Sequence, residues 1–233
     1  LYSGQEMWEQ AISVLERKGK VLTDNDGKID VLMQVASIWE DRLGDLVQAS
    51  AAYQELLELD PAHGPAAEAL DAIYRKTDEW GSLTELLINR TEYTDDPLMK
   101  VAFLQQVAVV FEEKLDDLDG AFTVLQTAFN IDYANEDTAR ELERIATLAN
   151  RWQELLNEYN EIVEQIEEPS ERCELLVKIG RWYGEHLNRA DLGITALHKA
   201  LALNAESVSA LRELSNFHRR AGDATALTET LAR

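Results

Sequence analysis

Side chains able to do chemistry are few and scattered in this chain. The segment Asp24-Asn25-Asp26-Gly27-Lys28-Ile29 sets oxygen-bearing residues ahead of a glycine, as part of a calcium-binding loop would. In that register Leu22 takes the first ligand position and Met33 the terminal bidentate one, and neither side chain can bind calcium. The segment therefore reads as a turn. His63, His186, His198 and His218 share no metal-ligand spacing. Cys173 is the single cysteine, which excludes an intrachain disulfide. Near a predicted helix start its thiolate gains some support, and a small packed thiol is the simpler reading. The pairs Glu112-Glu113 and Asp116-Asp117 are what strongly charged helices place on solvated faces, not acid–base machinery. A Gly-rich phosphate loop, a nucleophile elbow and a His-Glu-x-x-His run are all missing from the sequence. The reading is of a non-enzymatic protein that needs no cofactor and no metal.

The elements that would position these side chains follow from composition and period. Among 233 residues, 45% are apolar, with only four prolines and eleven glycines, so a packed helical chain is available. Ala, Leu and Glu lose little side-chain freedom in a helix. The formal net charge is −22, from 44 acidic and 22 basic residues. That field repels phosphate backbones and anionic lipid, which argues against nucleic acid as a partner. Solubility is its plain meaning, and recognition of basic partners the alternative. No apolar run approaches the ~18–20 residues that span a bilayer, so membrane insertion is not expected. No targeting signal is visible and the compartment is not fixed, with the cytoplasm favoured. The regular Ala- and Leu-rich style points to a bacterial source.

A repeat decides the architecture. Trp8, Trp80 and Trp152 are separated by 72 residues each time, and many other columns share that offset without a gap. Trp39, Phe111 and Tyr183 form one; Leu43, Leu115 and Leu187 another; Leu32, Leu104 and Leu176 a third. Val35, Val107 and Ile179 follow, as do Leu70, Leu142 and Leu214, and the segments beginning at Leu59, Ile131 and Leu203. Within a unit the apolar steps are helical: Leu32, Val35, Trp39, Leu43, then a Gly44-Asp45 turn, then Ala49, Tyr53, Leu56, Leu57 up to Pro61. Ala67, Leu70, Ile73 and Tyr74 begin a second pair, completed by Trp80, Leu83 and Leu87 after a turn at Thr77-Asp78-Glu79. Asp96-Pro97 and Glu168-Pro169 open later units, an acidic N-cap before proline at the first helical position. Each period is thus two antiparallel hairpins of about 34 to 38 residues. The tryptophan column is expected to be core packing at a hairpin junction.

In these residues the chain resembles the tetratricopeptide family. The first copy matches through Val35-Ala36, Trp39, Ala49, Tyr53, Leu56 and Pro61, the third through Ile179-Gly180, Tyr183, Gly193, Leu197, Ala200 and Ala205. The small column Ala36, Ala108, Gly180 would let the paired helix approach closely. The chain departs from the family's pattern in two ways. The turn between helices is about one residue longer, and the alternate hairpins carry tryptophan at the start of their second helix. The resemblance implies an all-α fold, a right-handed α-solenoid of antiparallel helical hairpins. It covers one array over residues 1–233, with units at approximately 1–24 (partial), 25–96, 97–168 and 169–233 (incomplete). Leu1-Tyr2 align with the helix end Ile73-Tyr74, and Ala224 to Arg233 align with the start of the helix at Trp152. Both ends so cut a hairpin, and a longer array is expected.

The resemblance further implies that first helices line a concave groove that binds a protein or peptide. Its ligand-facing offsets fall on Asp30, Met33, Gln34, Ser37, Glu40 and Asp41, then on Gln105, Gln106, Val109, Glu112 and Glu113, then on Glu174, Lys178, Arg181 and Glu185. The alternate hairpins contribute Arg75 and Lys76, Arg140 and Arg144, and Arg212, Arg219 and Arg220. They form a basic ladder between acidic rungs, or solvated helix faces tied by salt bridges. The Lys and Asn pairs that clamp a carboxylate in the family are replaced by Met33 and Ser37, Gln105 and Val109, and Val177 and Arg181. Chaperone-tail binding is therefore not carried over. The alternative to a binding scaffold is a structural spacer or self-associating segment.

Overall fold

The computed structural model describes residues 2–232, so Leu1 and Arg233 lie outside the described residues. Thirteen α-helices and no strand occur among the described residues, in agreement with the all-α reading. The helices group into two compact units, Leu1–Asp132 and Tyr133–Arg233. The first unit holds α1 (Tyr2–Val21), α2 (Asn25–Ile38) prolonged by a π-helical turn (Trp39–Leu43), α3 (Leu46–Leu59), α4 (Gly64–Thr77), α5 (Trp80–Glu92), α6 (Pro97–Glu113) and α7 (Leu118–Ile131). The second holds α8 (Glu136–Leu148), α9 (Trp152–Gln165), α10 (Pro169–His186), α11 (Ala190–Leu203), α12 (Val208–Ala221) and α13 (Ala224–Leu231). Within each unit every helix packs on its neighbour in sequence, as short turns between amphipathic helices require.

Helix starts are written in side chains that take up orphan backbone N–H groups. Asp24 accepts from Gly27 N–H at 2.8 Å, Asp45 from Gln48 at 3.1 Å and Asp117 from Gly120 at 2.8 Å. His63, Asn135 and Ser207, a column of the repeat, cap α4, α8 and α12. Each cap is worth ~1 kcal/mol. The calcium-loop look-alike is accordingly a helix start, with its first carboxylate bound to backbone. Among the described residues no three His, Cys, Asp or Glu side chains gather where a metal ion could be held.

Helix ends obey the 72-residue period more strictly than the core does. Every residue at positive φ among those described falls in one of two columns: Gly44, Asp116 and Asn188, or Asp78, Asn150 and Gly222. Gly, Asn and Asp are the types that tolerate this region. In the first column the chain closes through Asp45 N–H to Trp39 O, Asp117 N–H to Phe111 O and Arg189 N–H to Tyr183 O, at 2.8 to 2.9 Å. Those bonds reach back six residues, which accommodates the extra residue noted in the sequence. In the second, Glu79, Arg151 and Asp223 reach back five residues, to Tyr74, Ala146 and His218.

The core of the first unit runs from Ile12 of α1 through Val35, Ala36, Leu56, Leu70, Leu83 and Leu87 to Val107 and Val110 of α6. In the second, Leu142, Ile145, Leu155, Leu156, Ile179 and Leu197 are fully buried. Cys173 is a packed thiol near Ala200 O of α11, where Val101 is buried in the preceding copy. The third copy trades sizes across three helices. Gly184 and Gly193 stand where the first two copies have Glu40, Glu112 and Ala49, Ala121, and Phe217 replaces Ile73 and Ile145. A Cβ would meet the Phe217 ring at 2.5 Å from Gly184 and at 2.7 Å from Gly193. The larger ring of α12 thus fills the space that two absent Cβ atoms leave on α10 and α11.

Three expectations are corrected. α1 is continuous through Trp8, with no hairpin turn before it. The turn column that reads Asp78, Asn150 and Gly222 reads Glu6 here, a residue that does not favour positive φ, so the helix runs on. Trp8 is consequently no junction residue and is 37% exposed, against 6% for Trp152. Leu115, Ile131 and Leu203, members of apolar columns, are exposed near helix ends. The size trade predicts a change of sign. Gly184→Ala should cost about 1–3 kcal/mol by overpacking Phe217. In a Phe217→Ile background it should stabilise by up to ~1 kcal/mol through helix propensity. Denaturant unfolding of the four-member cycle measures both.

Candidate functional site

The first-helix face of α2 and its π turn borders a cavity of about 450 Å³ shared with α1. Its lining is Trp8, Asp30, Met33, Gln34, Ser37, Ile38, Asp41 and Arg42. Five of these, Asp30, Met33, Gln34, Ser37 and Asp41, are positions that the family resemblance marks as ligand-facing in the first copy. The others were missed, although a signal existed. Arg42, Lys114 and His186 form a basic column of the same period as the tryptophans. In the structure each lies on its own tryptophan: Arg42 at 5.3 Å from the Trp8 ring centroid, Lys114 at 5.0 Å from Trp80, and His186 stacked at 3.7 Å on Trp152. For Arg42 and Lys114, a cation over an indole is worth ~0.5–1 kcal/mol at exposed sites. It also fixes how each second helix meets the end of the following first helix.

All fourteen sequence-predicted contact residues lie on first helices or on the π turn, but they do not form one surface of free groups. Met33 and Ser37 line the cavity. Glu40 instead accepts the Tyr53 hydroxyl of α3 at 2.9 Å. Burial, followed by that carboxylate, pushes the Tyr53 phenol up to about 12. Lys76 is exposed and borders, with Glu40, Asp41 and Ala72, a second cavity of about 350 Å³. Arg75 binds Asp71 at 2.9 Å and reaches Gln106 of α6 at 3.3 Å, so it ties two helices of the first unit. On α6, Gln105 and Glu112 are half-buried and Val109 is 51% exposed.

In the second unit Arg140 pairs with Asp137 at 3.2 Å, Arg144 with Glu141 at 2.8 Å and Arg181 with Glu185 at 3.8 Å. Each pair lies within one helix and is worth well under ~1 kcal/mol at the surface. Three rungs of the basic ladder, Arg75, Arg140 and Arg144, are therefore paired with carboxylates of their own helices. Arg212 and Arg219 are exposed on α12, and Arg219 donates to Asn216 at 3.1 Å.

The equivalent of the α1–α2 cavity looks different in the second unit. Trp182, in the column of Ile38, packs against Trp152 at 5.5 Å and Tyr159 at 4.9 Å, and Lys178 lies 5.8 Å from its ring. Tyr159 donates its hydroxyl to Glu143 of α8 at 3.0 Å. Burial raises the Tyr159 pKa strongly, and the Glu143 charge adds to it. Burial also lowers the pKa of His186, against the opposing pull of Glu185 and Glu143.

The chain matches no protein-family model, and no curated protein matches it. Several solved structures are similar to it. BtubC from P. vanneervenii has a TM-score of 0.41 at 15% identity, over 83% of this chain and 88% of that one. YrrB, described as a TPR protein with an unusual peptide-binding site, has a TM-score of 0.37 at 18% identity, over 88% and 96%. A tetratricopeptide repeat protein from Parabacteroides merdae has a TM-score of 0.38 at 12% identity, over 88% and 77%. The TPR-like character of this chain stands on its own helix pairs and repeat columns.

The His186 stack has a measurable consequence. Its folded pKa is below the ordinary 6.5, so the folded state takes up its proton later than the unfolded state as pH falls. The stability this contributes is complete above pH 6.5 and is lost as pH drops through the lowered value. His186→Lys, which copies Lys114, should remove that loss. Proton NMR titration of the imidazole and urea unfolding against pH would show it; a titration midpoint above 6.5 would contradict it.

Proposed function

We propose that the chain is a non-enzymatic scaffold that binds a protein or peptide partner along the face of its first helices. The observation that carries this reading is the α1–α2 cavity of about 450 Å³, five of whose lining residues sit at the register positions that the family resemblance assigns to ligand contact. Its size lies in the ~300–1,000 Å³ range of ordinary ligand clefts, and its lining mixes apolar, hydroxyl, amide and carboxylate groups. Nothing in that lining is arranged as a nucleophile with its base. Display of a random peptide library on the purified chain, followed by mapping of backbone amide shifts, tests it. Bound peptides should perturb Met33 and Ser37 before any residue of α3 or α5. Peptides that perturb only the second helices would reject the groove.

A second reading, a structural spacer or self-associating segment, is favoured by α1. Met7, Val14 and Val21 recur at helical spacing on it and are exposed, Val14 at 64%. Leu86, which occupies the column of Val14, is 8% exposed on α5. An apolar face of this kind fits a further helix or a second copy. Sedimentation at rising concentration separates the readings. A mass that grows with concentration and reverts in Val14→Glu supports self-association, and a constant monomer mass opposes it.

A further inference from the structure

The first and third copies of the repeat treat the same place on their first helix in opposite ways. In the third copy Arg181 stands where the first has Ser37, and its guanidinium reaches Glu185, which stands where the first has Asp41. Trp182 stands where the first has Ile38, and Lys178 where it has Gln34. There the chain supplies its own cations and its own aromatic filling. In the first copy the two cations are replaced by Ser37 and Gln34, the tryptophan by a partly buried isoleucine, and a cavity of about 450 Å³ is left open. Asp30 and Asp41 both line it, both are exposed, and neither has an ion-pair partner among the described residues. Arg42, the basic residue of the lining, lies over Trp8.

From this we infer that the α1–α2 cavity receives basic side chains of a peptide partner, one cation taking at Asp41 the place that Arg181 takes beside Glu185. The inference rests on the groove reading above and specifies its ligand. The arginine or lysine stem would lie along Met33 and Ile38, with the Trp8 indole as one wall, and its charged head at the Asp41 carboxylate. Asp30 lies eleven positions earlier on the same helix, ~16 Å away along its axis. An extended strand covers that distance in ~5 residues. The matching partner is therefore an extended segment with two basic residues about five positions apart and apolar residues between them. The chain's net charge of −22 would steer such a segment inward.

The probe is the peptide Arg-Ala-Leu-Leu-Ala-Arg, blocked at both ends, set against the same peptide with citrulline and with glutamate in place of arginine. Binding is followed through the amide shifts of Met33, Ser37 and Asp41 and the Trp8 indole N–H. The arginine peptide is expected to shift these signals, and the citrulline and glutamate peptides are not. Asp41→Asn should weaken binding about five-fold. Ser37→Arg, which copies Arg181, should abolish binding, and an unchanged helical circular-dichroism signal would show that this half-buried position accepts the residue as the third copy does. Equal binding of all three peptides at this face would overturn the cation inference and leave the groove reading standing. Undiminished binding to Ser37→Arg would overturn it as well. If neither these peptides nor a random library perturbs any first helix, both readings fall.

Discussion

A basic group laid on an indole is the contact to which the rest of this architecture is keyed. In three places, 72 residues apart, the last turn of a first helix carries Arg42, Lys114 or His186 onto the tryptophan of the preceding second helix. Packing between amphipathic helices is tolerant of sliding and rotation, because apolar surface is non-directional. A flat ring with a charge or imidazole above it is less tolerant, since the attraction falls away as the group leaves the face. The contact also presupposes the turn that follows. Arg42 reaches Trp8 from a π turn, where the backbone has taken up one residue more than an α-helix would. That turn ends in Gly44 at φ 69° and is closed by the Asp45–Trp39 backbone bond.

This dependence explains which features could be read in the sequence. Leu70, Leu142 and Leu214 are alike in type and alike in burial, because they face the hairpin partner in every copy. The left-handed column is just as regular in structure, yet its residues are Gly44, Asp116 and Asn188, which share only a tolerance for positive φ. The basic column shares only a capacity to lie on an aromatic face. Columns of common physics but unlike chemistry do not stand out by eye, although the period was sufficient to find them. Exposure was less legible still. Trp8 and Trp152 occupy one column, but Trp152 is covered by Trp182, which packs in turn on Tyr159, residues for which the first copy has Ile38 and Leu15. Identity in one column does not determine burial when the neighbouring columns differ.

The compensating changes in the third copy show how closely neighbouring columns are coupled inside the fold. Phe217 can be a phenylalanine because positions 184 and 193 carry no Cβ, and those glycines lose helix propensity of ~1 kcal/mol each. In the first copy the same columns hold Glu40, Ala49 and Ile73, and the glutamate is then available to accept the Tyr53 hydroxyl. A contact residue on a first helix can thus belong to the packing, as Glu40 and the Arg75 link to Gln106 do, even though its position is ligand-facing by register.

Positions with no such tie are where a repeat can acquire specificity without disturbing its fold. Substitutions on an exposed helix face change stability by about 0.5 kcal/mol or less, whereas one methylene misplaced in the core costs more. Val109 and Arg181, both exposed, share a column with the half-buried Ser37, so that an isopropyl group, a guanidinium and a hydroxyl alternate there, and the helices beneath them begin at the same register and close with the same turn. The chemistry of that face can then vary from unit to unit through a few side chains. Where the chain supplies the cation itself, as Arg181 does for Glu185, that unit is already satisfied. Where it supplies Ser37 beside Asp41, the carboxylate borders an open cavity with no such cation from its own helix.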